Sequence, residues 1–529
     1  MAYNSVRRWL AIAGAGVVAV MAAVAVQPGQ VAAVTINSEA ELRAAFADSN
    51  ETEVTFGADV SLTDCSPGTL ARPGGAVALV VDGAGFTLTQ TCVGERVITN
   101  DDGSLEIRNL TVTGGALDAG VDEGFGGGIF SAGALTLVQS VVTGNRADGD
   151  LGGAGGGVAS DAALRVEASM VTGNTAGAGT GIWSGRGGGI YSDGPTDIVD
   201  SVVADNTAEG APSAGGSGGG LFINERLLVQ RSTVSGNTAA AGGQSGGGTF
   251  GAAVSNGAFD IVNSTVHANA AAGPMSAHGG VNAAGELSLV YSAVTANSAE
   301  TGSANVLFKR GDRSTASVVA EAQGGAPDCS ADVGSSGGYN FGGDTSCGFV
   351  AGTDVQGAGD PGLGALGALE EGVRVPSADG PLVDVIPAGD CFLGDAAGVS
   401  TDQLGLTRPQ GGFCEIGPVE LGVEPPPTDP STTDVSDSTV PDTTVPATTE
   451  PSSSTSTATT AAPSTTTAAT VPSPGDGGGT PSTEPPGDPS GPLPATGTSI
   501  AIILLVAAGL LGVGLIVRRR ANARPQTAD

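Results

Sequence analysis

The chain has 529 residues, which is too long for one small domain, and its composition is unusual. Glycine accounts for 89 residues, far above the usual share of about 7%, whereas only 4% of the residues are aromatic. The formal net charge is −34. Such an acidic surface repels nucleic acid and anionic lipid, so the composition argues against both as partners and favours neutral or cationic ones.

The N-terminus has the three parts of a secretion signal. Arg7 and Arg8 form the positive region, residues 9–26 are apolar, and the small residues ending at Ala33 form a cleavage site. These features predict a signal peptide over residues 1–33, with a retained membrane anchor as the alternative.

An exported chain can keep disulfides, and the six cysteines are even in number. They fall into three pairs that are close in sequence. Six cysteines allow many connectivities, so spacing alone leaves the pairing open. The disulfide candidates are Cys65, Cys92, Cys329, Cys347, Cys391 and Cys414.

The centre of the chain, from Asn109 to Asn297, repeats itself about every 30 residues. One copy is GGGIFSAGALTLVQSVVTGN, from Gly126 to Asn145. Apolar residues alternate within each copy, which predicts short strands. Three positions are constant in all six copies: valine (Val142, Val171, Val203, Val234, Val266, Val294), serine (Ser140, Ser169, Ser201, Ser232, Ser264, Ser292) and asparagine (Asn145, Asn174, Asn206, Asn237, Asn269, Asn297).

A stacked solenoid explains this repetition physically. If each copy forms one coil, equal positions lie above one another at the strand spacing of about 4.8 Å. Inward valines then form an aliphatic ladder, and asparagines at a turn bond along the stack and tolerate left-handed geometry. Glycines allow corners with positive φ. The pattern predicts an all-β parallel β-helix over residues 34–325; a propeller is the alternative, but its blades need roughly 40 residues.

Both ends of such a stack need closing, because open ends expose backbone and core. The sequence SEAE, from Ser38 to Glu41, is a capping box and predicts a short helix through Ala47 that lies across the first coil. Residues 326–422 hold four of the six cysteines and are predicted to form a C-terminal cap region.

The copies resemble the repeats of the chlamydial polymorphic outer-membrane protein family, which pair GG[AILV] with FxxN. Here the second element is VxxN, as in VTGN from Val171 to Asn174. This resemblance implies a right-handed parallel β-helix.

Segments 328–349 and 401–421 together resemble the tail of bacterial choice-of-anchor surface proteins, whose pattern is similar to DxRGxxRPxxxxCDIGAYE. Here Leu404 replaces the first arginine, and EIGPVE replaces DIGAYE. This resemblance implies a cap stapled by Cys329–Cys347 and Cys391–Cys414.

Residues 423–492 are rich in proline, threonine and serine. Such a segment cannot bury a core and is predicted to be an extended, disordered linker that spans the wall. Near polyproline II geometry it reaches up to about 200 Å, at about 3.1 Å per residue. It is either a plain spacer or a carrier of O-linked sugars.

A short motif, an apolar stretch and a basic tail end the chain. The apolar stretch covers residues 500–517 and the basic tail covers residues 518–529. Together, residues 493–529 resemble the sorting signal of Gram-positive surface proteins. The motif is Leu493, Pro494, Ala495, Thr496 and Gly497.

In that family a sortase cysteine attacks the carbonyl of the motif threonine, here Thr496. The Thr496–Gly497 bond breaks, and an amine of the wall precursor takes the acyl group. The resemblance therefore implies sortase as a partner, covalent attachment to peptidoglycan at the extracellular surface, and a membrane-bound precursor held only transiently by its apolar helix. A permanent single-pass membrane protein is the alternative.

Catalytic candidates are few. His267 and His278 are the two histidines, and neither zinc-ligand spacing nor a nucleophile–histidine pattern accompanies them. Asp161 and Asp193 occupy the same place in adjacent copies, at a spacing that suits a retaining glycosidase, about 5 Å. They are weak candidates for catalysis or for a calcium site, and we expect two similar, solvated carboxylates. Ordinary turn residues are the alternative, and no cofactor is predicted.

A binding surface has better support. One outward column is predicted to contain Phe130, Ala159, Tyr191, Phe222, Phe250 and Asn282. A nearby loop, Gly179 to Gly188, adds Trp183 and Arg186 near Tyr191. Aromatic rings on one face can stack on sugars or receive a partner protein, unless neighbouring loops cover them. The sequence therefore favours a wall-bound adhesin or glycan-binding protein. A wall-attached polysaccharide lyase or glycoside hydrolase is the alternative, and a purely structural coat stays open.

Overall fold

We analysed a computed structural model of the chain. It describes residues 33–422 apart from 119, 121–123, 181–183, 212–213, 242–250, 274–277, 332–334 and 369–371. The predicted signal peptide, the linker and the sorting signal with its LPATG motif lie outside the described residues.

Strands dominate the structure, with 42% strand and 3% helix, which confirms the all-β prediction. The chain winds as a parallel β-solenoid whose coils visit three long sheets in turn. In one coil the chain passes through Ile129–Ser131 in sheet 1, Leu135–Val138 in sheet 2 and Val141–Thr143 in sheet 3. It then passes through Arg146–Asp148 in a shorter sheet 4 before the next coil begins.

The sheets of the described part are built as follows. Sheet 1 contains Leu70–Arg72, Ile98–Asn100, Ile129–Ser131, Val158–Ser160, Ile190–Ser192, Leu221–Ile223, Ala253–Ser255, Val281–Ala283, Val306–Phe308 and Cys329–Ala331. Sheet 2 contains Val34–Ile36, Glu53–Phe56, Leu79–Asp82, Leu105–Arg108, Leu135–Val138, Leu164–Glu167, Thr196–Val199, Leu227–Gln230, Phe259–Val262, Leu287–Val290, Arg313–Thr315 and Ser335–Gly338. Sheet 3 contains Val60–Leu62, Thr87–Gln90, Thr111–Thr113, Val141–Thr143, Met170–Thr172, Val202–Ala204, Thr233–Ser235, Thr265–His267, Ala293–Thr295, Val318–Ala320, Phe341–Gly342 and Val355–Gln356.

The remaining elements are short. Sheet 4 contains Ala116–Asp118, Arg146–Asp148, Thr175–Ala176, Thr207–Ala208, Thr238–Ala239 and Ala270–Ala271. Three strand pairs complete the described strands: Gly124–Phe125 with Gly153–Ala154, Leu363–Leu366 with Arg374–Pro376, and Ile386–Pro387 with Phe413–Cys414. An α-helix covers Glu39–Ala47, and a 3-10 turn covers Gly394–Ala396. The long sheets continue past residue 325, the predicted end of the solenoid, to Val355–Gln356.

The valine column forms the predicted inward ladder. All six valines are at most 1% exposed, and consecutive members pair in register, as Val171 does with Val203. Apolar residues of sheets 1 and 2, such as Ile190 and Ile198, fill the same core. Each fully buried valine or isoleucine contributes roughly 1.5–3 kcal/mol of transfer free energy, so the continuous core is the main stabilising term of the coil.

The asparagine column forms a buried hydrogen-bonded ladder. The Oδ1 atom of Asn206 accepts from both the backbone N–H and the Nδ2 atom of Asn174 one coil earlier, at 2.9 and 3.0 Å. The pattern repeats from Asn145 onward, and after Asn297 it continues through Asn305 to Asp328. The prediction of side-chain bonds along the stack is thus confirmed.

The left-handed residue at this corner is not the asparagine, as the sequence analysis expected, but the residue before it. Gly144 and Gly173 have φ of 64° and 65°, and Asp205 takes 56°. The residue before each ladder serine is also left-handed, although it is never a glycine. Ala168, which precedes Ser169, has φ of 47°. The ladder serines accept from the preceding coil's backbone, as Ser201 Oγ does from Ser169 N–H at 3.1 Å.

Close approach explains most of the glycine triplets. In the four described triplets, which begin at Gly126, Gly155, Gly187 and Gly218, only the first glycine has positive φ, as Gly155 does at 65°. At the second, a Cβ on Gly156 would lie 2.3 Å from the backbone of Thr175. At the third, a Cβ on Gly157 would lie 2.9 Å from Asn174 Nδ2. The triplet therefore lets the start of sheet 1 pack directly on the asparagine ladder.

The N-terminal helix forms as predicted. The Ser38 hydroxyl accepts from Glu41 N–H at 3.4 Å, and the Glu41 carboxylate accepts from Asn37 N–H at 2.8 Å. Leu42 and Phe46 of this helix are buried against the first coils. The buried Arg72 donates to Phe46 O in the last turn of the helix at 3.3 Å, which satisfies an acceptor at the C-terminal end of the helix, and to Glu51 O beyond it at 2.7 Å.

The C-terminal part of the described chain packs beside the solenoid. We call residues 372–420 the strap. The Tyr291 hydroxyl, one residue after a sheet 2 strand, donates to Cys391 O of the strap at 2.8 Å, and Thr265 of sheet 3 donates to Gln403 Oε1 at 2.8 Å. A buried cluster that includes Val318, Leu382 and Ile416 joins the strap to the coils.

The three disulfides are Cys65–Cys92, Cys329–Cys347 and Cys391–Cys414. They join the sequence-near pairs, so the two staples that the tail resemblance implied are confirmed. The first links two early coils, the second lies in the last coils, and the third lies within the strap.

The asparagine ladder generates a direct test. Asn206→Ala removes the acceptor for two buried donors of Asn174, and each unsatisfied donor costs about 1–3 kcal/mol. We therefore expect the free energy of unfolding in urea to fall by several kcal/mol. The exposed Asn256 is the matched control, because Asn256→Ala leaves the buried ladder intact. Equal stability of the two variants would contradict the role of the ladder.

Candidate binding face

The outward column of sheet 1 contains the predicted rings. Phe130 pairs with Ala159, Ala159 with Tyr191, and Tyr191 with Phe222, one coil at a time. The next member is Val254, which pairs with Phe222 and with Asn282. The placement of Phe250 in this column is therefore wrong. Phe250 and Trp183 lie outside the described residues.

The rings point away from the core, yet they are not all accessible. Tyr191 is only 5% exposed, whereas Phe130 and Phe222 are partly buried. Phe125, which the sequence analysis did not select, packs on this group, with its ring centroid 5.6 Å from that of Tyr191 and 6.3 Å from that of Phe130. Tyr191 and Phe222 stack with centroids 5.8 Å apart. The covering alternative therefore holds for Tyr191, and Phe130 and Phe222 form the accessible edges of the group.

Two arginines cover the rings from the side. The Cζ atom of Arg186 lies 5.5 Å from the ring centroid of Tyr191 and 5.9 Å from that of Phe222. The Cζ atom of Arg96 lies 5.0 Å from the ring centroid of Phe130. Burial lowers the pKa of Arg96, although its guanidinium stays charged. Such cation–π contacts favour a fixed ring orientation.

The turns between sheets carry these covering groups to the face. Gly124–Phe125 pairs with Gly153–Ala154, and Arg186 forms bridges with Ala154 and Ser217 of neighbouring coils. The expected position of Arg186 near Tyr191 is confirmed by its contact with the ring. Sequence periodicity could not locate Phe125, because the loops between sheets 4 and 1 vary in length. The signal that was available is the glycine triplet, which directly follows both residues.

A polar ladder runs beside the rings at the end of sheet 1. The Tyr191 hydroxyl donates to Asp193 Oδ1 at 2.8 Å, and Asn224 Nδ2 donates to the same oxygen at 2.6 Å. Asn256 Nδ2 donates to Asn224 Oδ1 at 2.6 Å. Burial, followed by the charge of Asp193, raises the pKa of Tyr191, so its hydroxyl stays protonated as a donor. Rings and hydrogen-bonding groups thus share one face.

Asp161 lies one coil before Asp193, and its environment differs. Its neighbours Ser160 and Ser192 pair in register, so the two aspartates follow equivalent strand ends. Partial burial raises the pKa of Asp161, and the charge of Asp193 raises it further. Asp193 has two side-chain donors, whereas no hydrogen bond reaches the Asp161 carboxylate from the described residues. Both side chains are exposed, as expected, but their hydrogen-bond partners differ, so the expectation of two similar carboxylates is wrong.

A separate groove of about 660 Å³ lies in the last coils of the solenoid. Among its lining residues are Glu321, Asp328, Asp344 and Asp360. Burial, together with the charge of Asp344, raises the pKa of Asp328 to about 6. Asp328 accepts from Ala322 N–H at 2.9 Å and from Asp344 N–H at 3.0 Å, so its carboxylate holds the turns at the end of the asparagine ladder.

Other sequence candidates are placed as follows. His267 Nδ1 lies 3.2 Å from Thr295 Oγ1 and His278 Nδ1 lies 3.0 Å from Ser303 Oγ, so the two imidazoles are in different parts of the coil. Within residues 33–422, gaps excepted, no group of three or more His, Cys, Asp or Glu side chains is arranged to hold a metal ion. In the same part of the chain, no helix is long and apolar enough to span a membrane.

Comparison with protein-family models, with curated proteins and with solved structures found no match for this chain.

The carboxylate pair generates a pH prediction. Because the Asp193 charge contributes to the raised pKa of Asp161, Asp193→Asn should lower that pKa, while burial keeps it above 3.8. The carboxyl-carbon chemical shifts of ¹³C-aspartate-labelled protein, followed by NMR from pH 2 to 7, measure it, and Asp161→Asn identifies the signal. An unchanged midpoint would mean that the two carboxylates do not sense each other.

Proposed function

We propose that this protein is a cell-wall-anchored, surface-displayed β-solenoid that binds an extracellular glycan through the sheet 1 face. In this proposal residues 1–33 direct export, sortase joins Thr496 to peptidoglycan, and the linker over residues 423–492 carries the solenoid away from the wall. The helix over residues 500–517 holds the precursor in the membrane only until that cleavage. The disulfides of the described residues are consistent with an extracellular protein.

One observation carries the binding role: the rings and the polar ladder lie side by side on a rigid face. Phe130 and Phe222 offer partly exposed rings, and Asp193, Asn224 and Asn256 offer acceptors and donors one coil apart. Sugar rings present apolar faces edged by hydroxyls, so a chain of sugars lying along the solenoid axis meets both kinds of group. The net charge of −34 favours a neutral glycan over a polyanion. If the protein is an adhesin, the alternative ligand of the sheet 1 face is a protein on the surface of another cell.

The remaining features complete the proposal. The coil is right-handed, as the repeat resemblance implies. The N-terminal helix and the last coils with Cys329–Cys347 close its two ends as caps. No cofactor is needed for binding, and calcium has no role in it.

A second candidate function rests on a specific observation. Asp161 and Asp193 lie one coil apart in different environments, and the pKa of Asp161 is raised. Two carboxyl groups with different proton affinities are what a glycoside hydrolase uses as acid and base. The alternative to binding alone is therefore a wall-attached glycoside hydrolase. A polysaccharide lyase follows less directly from this observation.

The binding proposal is tested with a glycan array and two double variants of the full-length protein. Phe130→Ala with Phe222→Ala removes the accessible rings, each of which contributes about 0.5–1.5 kcal/mol beyond area burial, so affinity should fall roughly tenfold. Phe392→Ala with Phe413→Ala is the control, because these exposed rings belong to the strap. Equal affinity of the two variants would contradict the proposal that the sheet 1 face binds the glycan.

The enzymatic alternative has its own test. If the protein releases reducing or unsaturated sugar ends from a polysaccharide, and Asp161→Asn abolishes that release, the protein is an enzyme.

The anchoring proposal is tested in the wall fraction of the producing cells. Thr496→Ala removes the residue whose carbonyl the sortase attacks, so the protein should become extractable by boiling detergent. Ala495→Glu changes the variable position of the motif and should leave the protein covalently attached. Resistance of the Thr496→Ala variant to extraction would show that another linkage holds it.

A further inference from the structure

The strap is held to the solenoid by a buried group of ionisable side chains. Arg408 is fully buried and forms an ion pair with the buried Glu420. Its guanidinium also donates to Asn263 Oδ1 of the coil at 3.1 Å and to Gly417 O at 2.9 Å. The Cζ atom of Arg408 lies 3.8 Å from the ring centroid of Tyr291, one residue after a sheet 2 strand. Arg408 thus joins the strap to two coils.

The acids of this group outnumber its cation. Asp402, Glu415 and Glu420 are each at most 2% exposed, and Arg408 is the buried cation among them. Glu420 is neutralised by Arg408. Burial raises the pKa of Asp402, but its carboxylate accepts hydrogen bonds from the backbone N–H groups of Leu404, Leu406 and Glu420, which oppose that rise.

Glu415 has no such compensation. Its Oε2 atom is buried and has no hydrogen-bond partner among the described residues. The charged and titratable groups that face it are Glu420 and Asp384 from the strap, with Arg408 already paired, and Tyr291 from the coil side. A second carboxylate beside Glu420 would be an unpaired buried charge, which is expensive.

The proton affinity of Glu415 agrees with this geometry. Burial, followed by its contact with Glu420, raises the pKa of Glu415 from 4.5 to about 8. When the strap is released, the side chain returns to water and to its ordinary pKa. The docked state therefore binds one more proton than the released state between pH 4.5 and about 8, so docking weakens as pH rises through this window and changes little above it.

We propose that the strap is a proton-dependent latch, which stays tightly docked on the solenoid only while Glu415 carries its proton. Release would uncover polar residues of sheet 3 that the docked strap contacts, among them Thr233 and Thr265. This inference does not depend on glycan binding or on wall attachment.

Hydrogen exchange of the full-length protein, followed by mass spectrometry, tests the latch. Glu415→Gln keeps the shape of the protonated acid and cannot ionise. Comparing both proteins at one pH cancels the intrinsic exchange rate. At pH 8.5, strap peptides of the wild type should exchange at least about 30-fold faster than those of the variant, whereas near pH 4.5 the rates should agree within a few-fold. The same ratio at both pH values would overturn the proposal.

Two further measurements separate the latch from general stability. Glu420→Gln leaves Arg408 without its anionic partner, so its strap peptides should exchange faster at both pH values. In the wild type alone, protection of the strap relative to the core peptide around Val203 should fall between pH 4.5 and 8.5. A parallel fall in both regions would overturn the latch even if the Glu415→Gln variant did not fold.

Discussion

The whole solenoid depends on one constraint: each coil must place a hydrogen-bond acceptor where the preceding coil presents a buried donor. The asparagine ladder does this with Oδ1 atoms, and the serine ladder does it with hydroxyls. Both ladders follow a residue in left-handed geometry, which for non-glycine residues costs of order 1–2 kcal/mol. The ladder bonds offset that cost, and they fix the coil spacing so that valines and isoleucines stack in register.

This constraint on the inside leaves the outside free to vary. Outward positions of sheet 1 change from Phe130 to Ala159 to Tyr191 without altering the register. Because the coils repeat, equivalent side chains of successive coils form a column along the axis. Residues that are neighbours in such a column are about 30 positions apart in the sequence. Tyr191 belongs to both the ring group and the polar ladder, because its ring stacks on Phe222 while its hydroxyl bonds to Asp193.

What the sequence could predict differs between the constrained inside of the coil and its variable outside. The inward ladders and the helix capped by Ser38 were predictable, because each depends on a local pattern or a constant spacing. Spacing left the cysteine pairing open, and the tail resemblance implied two of the three disulfides. Phe250 follows its glycine triplet at the same spacing as Phe130 does, but the strand of this copy is Ala253–Ser255, so Val254 takes the column position. The burial of Tyr191 was missed because its cover, Phe125, comes from a loop two coils away in sequence. No periodicity carries that information.

The strap shows the same limit over a longer distance. Some of its contacts join residues more than 130 positions apart, such as Thr265 with Gln403, and Gln403 lies outside the repeating copies. The tail resemblance nevertheless covered the segment that supplies the buried group, residues 401–421. Arg408 and Glu420 occupy the arginine and final glutamate of that tail pattern, and Glu415 occupies its aspartate position, directly after Cys414. The structure gives these positions a physical role, since they form the buried group that holds the strap to the coil.

If the protein is anchored at Thr496, the position of the strap also determines the path of force. Tension from the wall would enter the described residues at the end of the strap, two residues after Glu420. The first contacts under load would be those of Glu420 with Arg408 and Asp402. Peeling could proceed through the strap only as far as Cys414, because its disulfide to Cys391 carries the load past the residues between them. Tension would then act on Cys391, whose carbonyl accepts from the buried Tyr291 of the coil. The ion pair and the disulfide therefore lie in series between the linker and the solenoid core, so the strap would yield before the stacked coils.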